Sequence, residues 1–148
     1  MFTKADFIEK LDRSLKVAQR KMKTEDKDRP NLHIAKVETL DFDLETTLKE
    51  WTKENNMNLA SIDISALTPN DVAAMPEILS QPTILLLKNF GDYTHDMLRE
   101  PYRQLVKDCR YGVDGIFANN FLFAVATTKS DMPIQDMSER SCFGTYNV

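Results

Sequence analysis

The chain has 148 residues, 42% hydrophobic and 28% charged, with a net charge of −4 from 19 basic and 23 acidic side chains. These values are ordinary for a globular domain long enough to bury a core, and they exclude a blanket attraction to nucleic acid or anionic membrane, leaving room only for a local basic patch. No apolar run approaches the roughly 20 residues that span a bilayer, and "MFTKADFIEKLDRSLK" lacks the apolar centre of a signal peptide, so one cytoplasmic domain without a membrane partner is expected. Cys109 and Cys142 form neither a metal-ligand spacing nor a disulfide framework and read as reduced thiols.

The first segment sets Phe7, Ile8, Leu11, Leu15, Ala18 and Met22 on one helical stripe with charges opposite, expected to face the core ahead of a membrane or partner. Thr3 and Asp6 approximate a capping box, so the helix should start near residue 3 and occupy the segment 1–24. "KTEDKDRP", closed by Pro30, reads as an exposed connector over 25–30. From residue 31 to 148 the pattern becomes an α/β alternation. "NLHIAKV" (31–37) is expected as a strand, "LETTLKEWTKENN" (44–56) as a helix with Leu44, Leu48 and Trp51 inward, and "LASIDIS" (59–65) as a strand.

"TPNDVAAMPEIL" (68–79) should be a helix with Thr68 as N-cap, Pro69 in its first turn and Asp71 behind it. "TILLLKN" (83–89) is almost continuously apolar, as a strand covered on both faces would be. A helix is expected over 93–112, with Pro101 at a start or kink and Gly112 near its end, then a strand over 120–128 and a tail that is mostly loop. The whole predicts a three-layer, mainly parallel α/β sheet. Ligands of such sheets sit beyond the C-terminal strand ends, so the loops after Val37, Leu87 and Thr128 are where a site belongs.

In order and spacing these segments resemble the core of an AAA+ ATPase, a P-loop NTPase fold, most closely its MoxR-like branch. "LKEWTKENNMNLASIDISALTPNDVAAMP" resembles that family's helix, second strand and the "S-x-L-x-P-x-D-L-x-G-x-P" stretch that follows. "TILLLKN" falls at the Walker B strand, "YRQLVKDCRYG" at the next helix, "FLFAVATTKSD" at the sensor-1 strand and "FGTYNV" at a "GTY" element. The resemblance begins near residue 31, so the N-terminal helix is an addition to it.

At the functional positions the resemblance fails. A P-loop needs glycines that let backbone N–H groups close on phosphate, a lysine for the β/γ oxygens and a hydroxyl for Mg²⁺. The corresponding stretch, "ETLDFDLE" (38–45), has no glycine or lysine and carries Glu38, Asp41, Asp43 and Glu45. Like unit charges about 4 Å apart repel by roughly 4 kcal/mol at an effective dielectric of 20, more than one helix N-terminus returns. The metal-holding Asp falls at Lys88 and the catalytic Glu at Asn89: an ammonium repels Mg²⁺ and an amide is no carboxylate base. The sensor-1 asparagine falls at Lys129, beside Thr127 and Thr128, and the sequence stops where the family continues into an arginine finger and lid.

The resemblance therefore implies a pseudo-ATPase: a non-catalytic, regulatory or protein-binding module without catalytic residues, cofactor or metal. Its partner would be an AAA+ subunit or a partner of one, and its compact size suits a phage-like or mobile-element protein. Lys88 and Lys129 are expected to pair with Asp41, Asp43 or Glu45 and close the former cleft, each exposed pair contributing about 0–1 kcal/mol. Residues 1–24 are the candidate partner surface, removable without unfolding the sheet. The alternative is a nucleic-acid-binding accessory factor, with Arg99, Arg103, Lys107 and Arg110 on phosphates and Tyr102 and Tyr111 stacking on bases. His33 and His95 lack metal spacing and read as structural. Cys109, within a helix, lacks the exposed turn of a nucleophile despite His95 and Asp92 nearby in sequence, and Cys142 lacks any support for one.

Overall fold

Among the described residues five strands pair in parallel throughout, in the order β2-β3-β4-β1-β5. The computed structural model describes residues 2–23, 31–66, 68–90, 120–129 and 144–147, with side chains for all but 21–23, 72 and 144–147. Along the chain come α1 (Lys4–Lys23), β1 (Asn31–Lys36), α2 (Leu44–Glu54), β2 (Asn58–Asp63), α3 (Pro69–Ala73), α4 (Met75–Ile78), β3 (Thr83–Lys88), β4 (Phe121–Thr128) and β5 (Gly144–Asn147). The expected α/β architecture is present, and so is the N-terminal helix. The helix expected over 93–112 lies outside the described residues.

Side-chain alternation divides the core into two layers. On one face Leu32 and Ile34 of β1, Leu85 and Leu87 of β3, and Ala124 and Ala126 of β4 pack with Met75 and Leu79. On the other, Ala35, Ile84, Leu86, Phe123 and Val125 pack under Leu44, Leu48 and Trp51 of α2 and Phe7, Leu11, Leu15 and Ala18 of α1. From β1 the chain steps out to the far edge at β2, then returns through β3 to β4. Right-handed crossovers running in opposite directions put their helices on opposite faces, so α2 and the α3–α4 pair cover different sides. A register shift between Thr83 and Leu85 accompanies the one break in alternation: consecutive Leu122 and Phe123 both join the α1–α2 face.

Local sequence explains the element ends. The capping box at α1 forms: Thr3 N–H donates to Asp6 at 3.0 Å and Asp6 N–H to Thr3 Oγ1 at 3.1 Å. The Thr3 N–H first, and the Thr3 side chain second, hold the Asp6 carboxyl below the usual range. Thr68 and Asp71 repeat the box ahead of α3, at 2.8 and 3.3 Å. The single helix expected over 68–79 is instead two, divided at Ala74. Pro76 has no N–H to return to the preceding turn, so the ladder is interrupted there. Within the tail, expected to be mostly loop, Gly144–Asn147 is a strand, and most of the rest lies outside the described residues. Four residues are too short to show periodicity, and this strand exists by pairing with Asn31–Ile34 of β1.

Helix α1 is part of the core. Phe7 and Leu11 are fully buried, and burying a side chain of that size stabilises by about 1.5–3 kcal/mol. Trp51 Nε1 of α2 donates to Asp12 Oδ1 at 2.9 Å, joining the two helices. Phe123 and Val125 lie beneath that helix, so removing residues 1–24 would uncover one face of the sheet, which opposes the expectation that they can be removed without unfolding it. Met22 is among the residues whose side chains are not described.

Candidate functional site at the C-terminal rim of the sheet

The loop that leaves β1 makes a 3-10 turn at Val37–Thr39, held by Thr39 Oγ1 donating to Lys36 O at 2.8 Å and Leu40 N–H to Val37 O at 3.2 Å. Leu40 and Phe42 turn inward, whereas Glu38, Asp41 and Asp43 stay exposed. Asp43 is the N-cap of α2: its Oδ1 accepts from Thr46 N–H at 2.9 Å. A helix N-terminus offers free N–H groups to an anion. Here the protein's own carboxylate takes that place.

Lys88 ends β3, which β4 separates from β1, and Asn89 follows it. Lys88 Nζ lies 3.7 Å from Glu45 Oε1, which also meets Lys49 Nζ at 3.3 Å. Of the pairings expected for Lys88, the one to Glu45 forms; neither Asp41 nor Asp43 pairs with it, and Lys129, exposed after β4, joins no ion pair among the described residues. With both partners more than a third exposed, the Lys88–Glu45 pair contributes about 0–1 kcal/mol.

Asn89 takes a left-handed backbone conformation at φ 54° and donates from Nδ2 to Asp63 Oδ1 at 2.9 Å. Asp63 Oδ1 also accepts from Ser65 N–H at 3.0 Å and Ser65 Oγ at 2.6 Å. The Asn89 amide, then Ser65 and Lys88, hold the Asp63 carboxyl below the usual range. The Asn89 amide is thus committed to tying the ends of β2 and β3 together. Asparagine is among the few residues that tolerate this conformation, and a Cβ without a local hydrogen bond costs roughly 1–2 kcal/mol there. Asn89→Ala should therefore lose about 1–2 kcal/mol in urea unfolding, and Asn89→Gly less, because glycine keeps the backbone while losing only the exposed amide bond.

Thr127 and Thr128 stand at the end of β4; Thr127 O accepts from Phe90 N–H at 3.0 Å, and the Thr128 side chain is buried. His33 lies away from the rim, buried on β1, with Nε2 hydrogen-bonded to Ser14 Oγ of α1. His95, Cys109, Cys142 and the six residues Arg99, Tyr102, Arg103, Lys107, Arg110 and Tyr111 lie outside the described residues. No group of three or more His, Cys, Asp or Glu among the described residues could hold a metal ion. None of the described helices is long and apolar enough to cross a membrane.

Three roles were not read from sequence. The capping role of Asp43 had a signal, an Asp just before the apolar run that opens at Leu44. The Asp63–Ser65 turn had a weaker one, an acid two residues before a hydroxyl. Phe42 had none, because its contacts are with a helix more than thirty positions upstream.

No family model and no curated protein matches the sequence. Solved structures do match. The RuvB Holliday junction branch migration motor of Thermotoga maritima superposes with a TM-score of 0.59 and 17% identity, covering 95% of this chain and 43% of its own. A point-mutant form of the same protein gives 0.57 and 16%, covering 100% and 48%. The chain spans less than half the length of these structures. At such identity the likeness concerns the fold alone, a parallel α/β sheet with helices on both faces.

Proposed function

We propose that this chain is a non-catalytic AAA+-like module of the MoxR-like kind, which acts in the cytoplasm by binding another protein, an AAA+ subunit or a partner of one. The observation that carries this reading is the Asp43 cap, whose carboxylate accepts the Thr46 N–H at 2.9 Å where a phosphate would need that donor. Lys88 adds to it: an ammonium paired with Glu45 stands where metal-assisted phosphoryl transfer would need a carboxylate. An anion entering here would have to displace Asp43 and approach Glu38, Asp41 and Glu45 at short range, so both steps oppose binding.

Calorimetric titration of the full chain with Mg·ATP should give no saturable heat, and purified protein should release no phosphate above the buffer blank. Saturable association accompanied by turnover overturns the reading. A second reading, an accessory factor that contacts nucleic acid through Arg99, Tyr102, Arg103, Lys107, Arg110 and Tyr111, draws support from the function printed for the RuvB neighbour, a motor acting on Holliday junctions. It requires oligonucleotide affinity that falls steeply with added salt.

A further inference from the structure

The residues that seat α1 and the loop that carries the rim acids meet in one aromatic contact. Phe42, immediately before the α2 cap, has its ring centroid 5.8 Å from Phe7 and 6.3 Å from Phe2. Phe2 and Phe7 stand edge to face at 6.4 Å, and Lys10 Nζ lies 5.4 Å over the Phe2 ring on the outer side. Leu40 packs into the same cluster, so both inward-facing residues of the loop are held in the α1 layer. Apart from the Asp43 cap, the hydrogen bonds of residues 37–43 among the described residues are local ones, Thr39 to Lys36 and Leu40 to Val37. Among those residues the loop's long-range attachment is therefore apolar, and Phe42 makes it on the α1 segment.

Further along, the same helix is fastened twice more. Asp12 accepts from Trp51 of α2 at 2.9 Å, and Ser14 Oγ is hydrogen-bonded to His33 Nε2 of β1 at 2.6 Å. Asn31 Nδ2 donates to Ser14 Oγ at 3.3 Å. One helix thus grips the rim loop with its first two turns and is seated on the sheet by its third.

We propose that α1 is a strap that holds the β1–α2 loop over the rim, with the Phe2–Phe7–Phe42 contact as its fastening, so that lifting α1 from the sheet also releases the loop and the acids it carries. Coupling of this kind is reciprocal: whatever loosens the loop loosens the first turns of α1 to a matching degree. A partner that engages α1 would then change the accessibility of the rim without touching it.

Hydrogen exchange on the full chain tests this, with β3 (83–88) as the internal reference for global stability. Phe42→Ala should speed exchange about three- to tenfold, the size expected from an aromatic pair, both across 37–43 and in the first two turns of α1, with β3 unchanged. Ser14→Ala alters α1 at the sheet and no residue of the loop, and it should nonetheless speed exchange across 37–43. The strap is overturned if Ser14→Ala loosens α1 while the loop keeps its wild-type rate, or if Phe42→Ala loosens the loop alone. Should Ser14→Ala lose β3 protection altogether, Asp12→Ala, which severs only the Trp51 bond, replaces it and is read by the same two outcomes. The readout involves no nucleotide, so it stands or falls separately from the absence of ATP binding.

Discussion

Removal of residues 1–24 should abolish the cooperative thermal transition. Phe7 and Leu11 are 1% and 0% exposed and Leu15 is 8% exposed, all against Phe123, Val125 and the inner side of α2. Three such side chains are worth roughly 5–9 kcal/mol of burial, comparable with the whole stability of a typical domain, about 5–15 kcal/mol. The truncated chain also uncovers the aromatic face of Phe123, a surface that favours aggregation. A point substitution gives the graded form of the experiment. Leu11→Ala should cost about 2–5 kcal/mol, read by denaturant unfolding with circular dichroism. A truncated chain that melted cooperatively at the wild-type midpoint would show that α1 merely rests on the sheet.

Acidification should destabilise the fold through His33, in a pH window set by that residue. Burial first, and the Lys10 cation second, push its pKa down to about 4 from an ordinary value of 6.5. The Asn31 amide donates to Ser14 Oγ, which leaves the hydroxyl proton for Nε2 of a neutral ring. Protonation would reverse the polarity of that bond and place a cation in an apolar layer beside the Phe123 ring edge. The unfolded chain binds this proton more readily than the folded one. The contribution is therefore complete above about pH 6.5, is lost progressively as pH falls, and is gone by about pH 4.

A depression of this size corresponds to roughly 3 kcal/mol at 1.36 kcal/mol per pH unit. Unfolding free energies at pH 7.5 and 4.5 should differ markedly in the wild type and much less in His33→Gln. The lowered carboxyls Asp63 and Asp6 act in a different window, below about pH 4, because each favours the folded state only while ionised. Equal pH dependence in the wild type and His33→Gln would remove the histidine from the account.

The strap adds a dynamic side to the same helix. If α1 is seated by Ser14 on His33 and grips Phe42, loss of the seat at low pH should be felt first in the loop at the rim. Order of loosening, loop before β3, distinguishes such a device from simple loss of stability.

Much of the fold was legible because it rests on periodicities short enough to read in one pass. The stripe Phe7, Leu11, Leu15, Ala18 marked a helix, and the run from Ile84 to Leu87 marked a strand covered on both faces. The capping boxes at Thr3 and Thr68 were written in four residues each. The charges at the rim were legible too, since glycine and lysine are absent from 38–45 and Lys88 and Asn89 stand in plain view.

What those charges do could not be read the same way. That Lys88 meets Glu45 rather than Asp41 or Asp43, and that Asn89 joins Asp63, depends on which strands are neighbours and in what register. The strand at Gly144–Asn147 has no internal cause and exists through β1. The stripe of helix α1 pointed to core packing ahead of a partner surface, but an apolar stripe states that it will be covered and not by what. Local patterning sets which elements form and which face of each is apolar. Partner choice comes from long-range pairing and packing, whose energies belong to contacts between residues far apart in the chain.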